Sequence, residues 1–157
     1  LYKLGENQNR NLCILAQIIK YYREGKSIIV FACSLDHASF LNEMCSQKQI
    51  KSASIDKDTT MASRRKYIDL YKSGEIKVLF NFGVLTHGFD APNTDIVIIA
   101  RPTQSPILYS QMIGRGLRGP KVGGNAECIL VDIKDNILGL PNERRTFTMY
   151  RDNYSRN

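Results

Sequence analysis

Apolar residues run along this chain in two alternating rhythms. From Asn9 to Glu24, Leu12, Leu15, Ile18, Ile19 and Tyr22 recur at helical spacing, and Gly25 closes the run. KSIIVFA (26–32) then gives a short apolar strand from Ile28 on, too uniform to be half-solvated. Ser34 or Asp36 is placed to cap a helix reaching about Gln47. IKSASI (50–55) is a weaker strand, and Thr59 or Thr60 caps a helix that reaches Tyr71. SGE (73–75) turns the chain into IKVLFNF (76–82), a further β-rich run. LTHGFDAPN (85–93) reads as a loop and DIVIIA (95–100) as a buried strand. Ser105 followed by Pro106 opens a helix that carries Ile107, Leu108, Met112 and Ile113 towards the core. GPKVGGN (119–125) is a connection and AECILVDI (126–133) the last strand.

Strand and helix therefore alternate, which predicts a three-layer α/β domain with a mostly parallel central sheet. The domain proper is expected over 9–141, after a linker or the end of a preceding element at 1–8. Residues 142–157 form a polar, arginine-rich tail. In such a sheet functional residues gather beyond the carboxyl ends of the strands. That singles out the loops at 33–37, 83–91 and 101–105.

Composition narrows the class. A chain of 157 residues, 43% of them hydrophobic, is one domain with a true core. No stretch approaches the roughly 18 apolar residues of a membrane span, and the start does not read as a signal peptide. The first residue is Leu1, so the chain reads as a fragment. A formal charge of +7 permits binding to a phosphate polymer and equally suits a soluble basic domain. Cys13, Cys33, Cys45 and Cys128 have no paired spacing. They read as reduced core or near-core thiols of a cytoplasmic protein, with neither a disulfide framework nor a zinc site.

Two segments carry candidate chemistry. In GVLTHGFDAPN (83–93), Gly83 and Gly88 permit close backbone approach, Thr86 offers a hydroxyl and an amide, and Asp90 can accept from a ribose hydroxyl. A tight turn capped by Asp90 explains the same residues. In QMIGRGLRG (111–119), Arg115 and Arg118 stand at i and i+3 among Gly114, Gly116 and Gly119. Their guanidiniums suit phosphate oxygens and can act as arginine fingers. A solvated basic helix end is the alternative. No GxxxxGK[ST] phosphate loop and no paired-carboxylate magnesium site accompany them. An arginine pair without a cradle makes chemical sense where another domain holds the nucleotide. His37 and His87 have no second ligand at metal spacing and read as local hydrogen-bonding residues, and Cys33 reads as space-filling.

Residues 26–133 resemble the second RecA-like domain of superfamily 2 helicases and translocases. VFACSLDHA (30–38) is similar to the fourth helicase motif, VLFNFGVLTHGFDAPNTDIVI (78–98) to the fifth and YSQMIGRGLRG (109–119) to the sixth. The flavour is closer to bacterial DNA-repair helicases and type I restriction motor subunits than to DEAD-box RNA helicases, which have His where Gln111 stands. The resemblance implies that Arg115 and Arg118 reach the phosphates of ATP and Mg2+ held mainly by a first RecA-like domain, and that Gln111 organises that site. It places Gly88, Asp90 and Gly114 along the nucleotide side of the cleft. It turns Thr86 and Ser34 to the nucleic-acid backbone, and relatives often present basic groups where Arg64 and Arg65 stand. A wet helix face accounts equally well for those two. DNA is the expected polymer ahead of RNA, with no metal held by this domain and no membrane. The rival reading is a non-catalytic nucleic-acid or protein binding module on the same scaffold.

Overall fold

The computed structural model describes residues 2–84, 93–103, 105–114, 125, 127–133 and 135. Its elements follow the order α1 (Tyr2–Gly5), α2 (Gln8–Arg23), β1 (Ile28–Phe31), α3 (Leu35–Gln47), β2 (Ser52–Ile55), α4 (Met61–Ser73), β3 (Val78–Asn81), β4 (Ile96–Ile99), α5 (Pro106–Gly114) and β5 (Ile129–Asp132). The strands form one sheet in the order β2-β3-β1-β4-β5, and every pairing is parallel.

The uniformly apolar strands are explained by cover on both faces. Ile28 and Val30 of β1, with Val78 and Phe80 of β3, pack under α2 and α3. Ile29, Phe31 and Leu79, one residue out of phase, pack against Tyr71 of α4 and Tyr109, Met112 and Ile113 of α5. Helix α3 carries the chain outward from β1 to β2, and α4 brings it back to β3. Right-handed crossovers in opposite directions must lie on opposite faces, and α3 and α4 do. The expected three-layer α/β architecture is what is found.

Two helical stripes are rotated from the expectation. In α2 the buried residues are Arg10, Asn11, Ile14, Leu15, Ile18 and Tyr21, while Leu12 is 60% exposed. At about 100° per residue, Leu12 and Ile14 point to nearly opposite sides, so one helix cannot bury both. The same geometry operates in α5. Tyr109 is buried there and Ile107 is 72% exposed, whereas Met112 and Ile113 are buried as expected. Tyr109 lies over the sheet and its hydroxyl donates to Asp132 Oδ2 at 3.1 Å.

The caps follow the chemistry of the sequence. Ser34, in extended conformation, accepts from the His37 N–H, and Thr60 accepts from the Ser63 N–H. Gly74 ends α4 at φ +80, a left-handed position that suits glycine. The short α1 occupies what reads from sequence as a linker.

Phe80 is fully buried at the centre of the α2/α3 side of the sheet. Phe80→Ala is expected to cost about 3–5 kcal/mol in urea unfolding; a loss under about 1 kcal/mol would mean that this side is not the packed core.

Candidate functional site

In an all-parallel sheet every strand ends at the same edge, so the loops after β1, β2, β3 and β4 gather there. Helices α3, α4 and α5 follow β1, β2 and β4 and begin at this edge, and α2, running back against β1, begins there too. Their first turns bring backbone N–H groups and the positive ends of four helix dipoles to one side of the domain.

A buried polar network ties this edge together. Arg10, in the first turn of α2, donates to both carboxylate oxygens of Asp135, Nε to Oδ1 at 2.7 Å and Nη2 to Oδ2 at 2.8 Å. Both side chains are under 10% exposed, at 5% and 8%. The same guanidinium donates to the Ala100 carbonyl at the end of β4 and to Cys33 Sγ at the end of β1. The Cys33 thiol donates in turn to the Ala100 carbonyl at 2.9 Å. Burial pushes the thiol up from its ordinary pKa against the pull of Arg10, so it stays protonated. Cys33 is therefore a working member of a polar cluster rather than filler.

The neighbouring residue extends the network. The Cys33 N–H donates to His37 Nδ1 at 3.1 Å, which leaves the ring proton on Nε2 to donate to Asn11 Oδ1 at 2.9 Å. Asn11 Nδ2 donates to the Gly5 carbonyl at 2.7 Å. Burial, with the charge of Arg10, lowers the His37 pKa to about 4. His37 is thus the local hydrogen-bonding residue that the sequence suggests. Arg10, Asn11 and Asp135 were not anticipated. The signal for the first two is their place one turn before Ile14 and Leu15 on the buried stripe. Nothing local marks Asp135, whose partner lies 125 positions away.

On the β2 side, Asp56 Oδ1 accepts from the N–H groups of Asp58 and Thr59 and from the Thr59 hydroxyl, closing a tight turn. Arg64 is half-buried, and its Nη2 donates to the Asp56 carbonyl at 3.2 Å. Arg65 is exposed, so the two arginines are not equivalent. Five buried side-chain atoms lack a partner among the described residues: Ser54 Oγ, Arg64 Nε, both amide atoms of Asn81 and Arg101 Nε. All belong to the carboxyl half of a strand, the residues just after it, or the first turn of α4. Unpartnered polar atoms are rare and costly, and here they gather on the edge expected to carry function.

Ser34 stands at this edge as the α3 cap, while Gln111 and Gly114 are exposed on α5. Thr86, His87, Gly88, Asp90, Arg115 and Arg118 lie outside the described residues, as do Lys121 and the 142–157 tail. Among the cysteines, Cys33 and Cys45 are buried and Cys128 half-buried, but Cys13 is exposed and not near-core. The described residues contain no group of three or more His, Cys, Asp or Glu able to hold a metal ion. No described helix is long and apolar enough to cross a membrane.

The pattern of the helicase conserved C-terminal domain matches residues 10–119. The chain belongs to that family. IRC3 of Saccharomyces cerevisiae, named as an ATP-dependent helicase, is 39% identical over 93 residues, 59% of this chain and 14% of that protein. The ATP-dependent RNA helicase ddx49 of Dictyostelium discoideum is 32% identical over 111 residues, 71% of this chain and 22% of that protein. This chain therefore spans under a quarter of either relative. Domain 2 of the DEAD-box helicase Mss116p, solved on an RNA duplex, superposes with a TM-score of 0.69 at 21% identity, covering 92% of this chain and 55% of that one. The RecA-like fold of a superfamily 2 helicase lobe is thereby shown. The leaning towards DNA-repair and restriction motors is not supported, because DEAD-box RNA helicases stand among the relatives.

Two outcomes follow from the network. Asp135→Asn leaves the Arg10 charge buried opposite a neutral amide and is expected to cost about 3–5 kcal/mol, much of it recovered in the Arg10→Met, Asp135→Leu pair; equal losses in single and double variants by denaturant unfolding would contradict the pairing. For His37, the unfolded ring binds a proton near pH 6.5 and the folded ring only near 4. Stability is then complete above the unfolded value and lost as the pH falls between the two, by roughly 3 kcal/mol. Urea midpoints should show this fall, and His37→Gln should flatten it; an unchanged slope would exclude His37 as its source.

Proposed function

We propose that this chain is the second motor lobe of an ATP-dependent superfamily 2 nucleic-acid helicase or translocase. The family match over 10–119 carries the reading, since it spans all three motif segments. The lobe proper covers 9–141, with 142–157 as a basic tail.

ATP, held with Mg2+ mainly by a first RecA-like lobe, would supply the phosphoryl group that passes to water. This chain's part is electrostatic. Arg115 and Arg118 meet the negative charge that builds on the transferring phosphoryl group, where a fixed guanidinium needs no reorganisation. Gln111 and Gly114, exposed on α5 just before them, line the same approach. Gly88 and Asp90 take the ribose and phosphate side of the cleft. Ser34, Thr86, Arg64 and Arg65 hold backbone phosphates. Exposed Arg65 and the Ser34 cap at the start of α3 support that assignment. Opening and closing of the cleft then changes the spacing between this lobe's backbone grips and those of the first lobe. Such contacts position the strand without reading its sequence. The polymer is taken as nucleic acid without preference for DNA, because relatives of this chain include named RNA helicases.

In the intact protein, Arg118→Ala should lower ATP turnover by about 10³-fold or more while the domain stays folded. Wild-type hydrolysis by that variant would remove the finger role. This chain alone should show no turnover at rates typical of a complete motor; such turnover would overturn the two-lobe division of labour.

A further inference from the structure

One guanidinium at the carboxyl edge is left out of the assignments above. Arg101 follows β4, and its guanidinium carbon lies 5.3 Å from the centroid of the Phe82 ring, which follows β3. Strand β1 runs between those two strands, so the pair bridges the edge above it. Arg101 and Phe82 are both half-buried, and Gly83 beside them is exposed. Arg101 Nε is buried without a hydrogen-bond partner, and Arg101 forms no ion pair among the described residues. The sequence offers no acid between positions 101 and 125.

These observations constrain the role of the side chain. Stacking on an aromatic ring uses the face of a guanidinium and leaves its in-plane N–H donors available. Phe82 therefore holds the charge in place without neutralising it. A structural arginine in so enclosed a position would normally be paired, as Arg10 is with Asp135. Arg101 is oriented but unpaired among the described residues, an arrangement that suits an anion arriving from outside.

We propose that Arg101, braced by Phe82, binds a backbone phosphate of the nucleic-acid strand. This rests on the motor reading and adds a contact outside the three helicase motifs. Arg101 stands at the ends of the three central strands, on the same edge as Ser34 after β1 and Phe82 after β3. Ser34 is one of the backbone grips proposed above, and a phosphate held by Arg101 lies on the same track. The contact supplies affinity and register but no base preference.

The test is equilibrium binding of oligo(dT) and oligo(U) of equal length to the intact protein across a salt series, with ATP kinetics alongside. Arg101→Gln should weaken binding of both polymers by roughly tenfold. It should also make the salt slope shallower by about 0.7, as expected when one phosphate contact to a single strand is lost. Phe82→Leu keeps the charge but frees it, so binding should weaken while the slope is retained. The KM for ATP should be unchanged in both. An unchanged salt slope in Arg101→Gln, with a raised KM for ATP, would assign the group to the nucleotide and overturn the proposal. A lowered thermal midpoint with binding unchanged would make it structural and overturn it too, as would a loss confined to one polymer. If the unsubstituted protein binds neither oligonucleotide, the motor reading itself fails, and the two failures are thereby distinguished.

Discussion

A parallel sheet has to be buried on both faces, and this requirement organises the whole domain. It makes β1 and β4 apolar at every position and β3 apolar up to its last residue, Asn81, because alternate residues serve opposite helical layers. It also leaves the sheet one end at which every strand stops and four helices start. Polar chemistry excluded from the faces collects at the strand ends. The carboxyl edge is thus a consequence of how the core is made, and the Arg10–Asp135 network and most of the described unpartnered polar atoms lie along it.

Two kinds of polar group occupy that edge, and the difference between them is physical. Arg10, Asp135, Cys33, His37 and Asn11 are buried and mutually satisfied, so they fasten the ends of β1 and β4 to the start of α2. Ser54, Arg64, Asn81 and Arg101 are enclosed but keep unpartnered atoms. The first set makes the edge rigid. The second keeps donors and acceptors uncommitted on a rigid support, as a binding surface that must not reorganise on contact requires.

How far the sequence discloses this depends on the range of each signal. The helices and strands were legible because periodicity, Ser34, Thr60 and the Ser105–Pro106 pair are local. The orientation of α2 and α5 was only partly legible. Leu12 and Ile107 are apolar but lie opposite the residues that reach the sheet, and roll about a helix axis is decided by the neighbouring layer. The Arg10–Asp135 pair was not legible, since no local pattern links positions so distant. Of the candidate site, Ser34 stands where expected, and Arg64 proved tethered to a turn while Arg65 did not. The polymer preference drawn from Gln111 is not supported for a different reason: one side chain in a nucleotide-facing motif says little about which backbone the lobe grips.

The central claim is that the guanidiniums of Arg115 and Arg118 complete, across a cleft, a triphosphate site built mainly by another lobe. The most direct measurement is a crystal structure of the intact protein with a non-hydrolysable ATP analogue and a single strand bound. The account predicts at least one of those guanidiniums within hydrogen-bonding distance, about 3 Å, of a phosphate oxygen, on the side where the strands of this lobe end. Both arginines turned into this lobe's own core, or standing away from that edge with the nucleotide untouched, would contradict it.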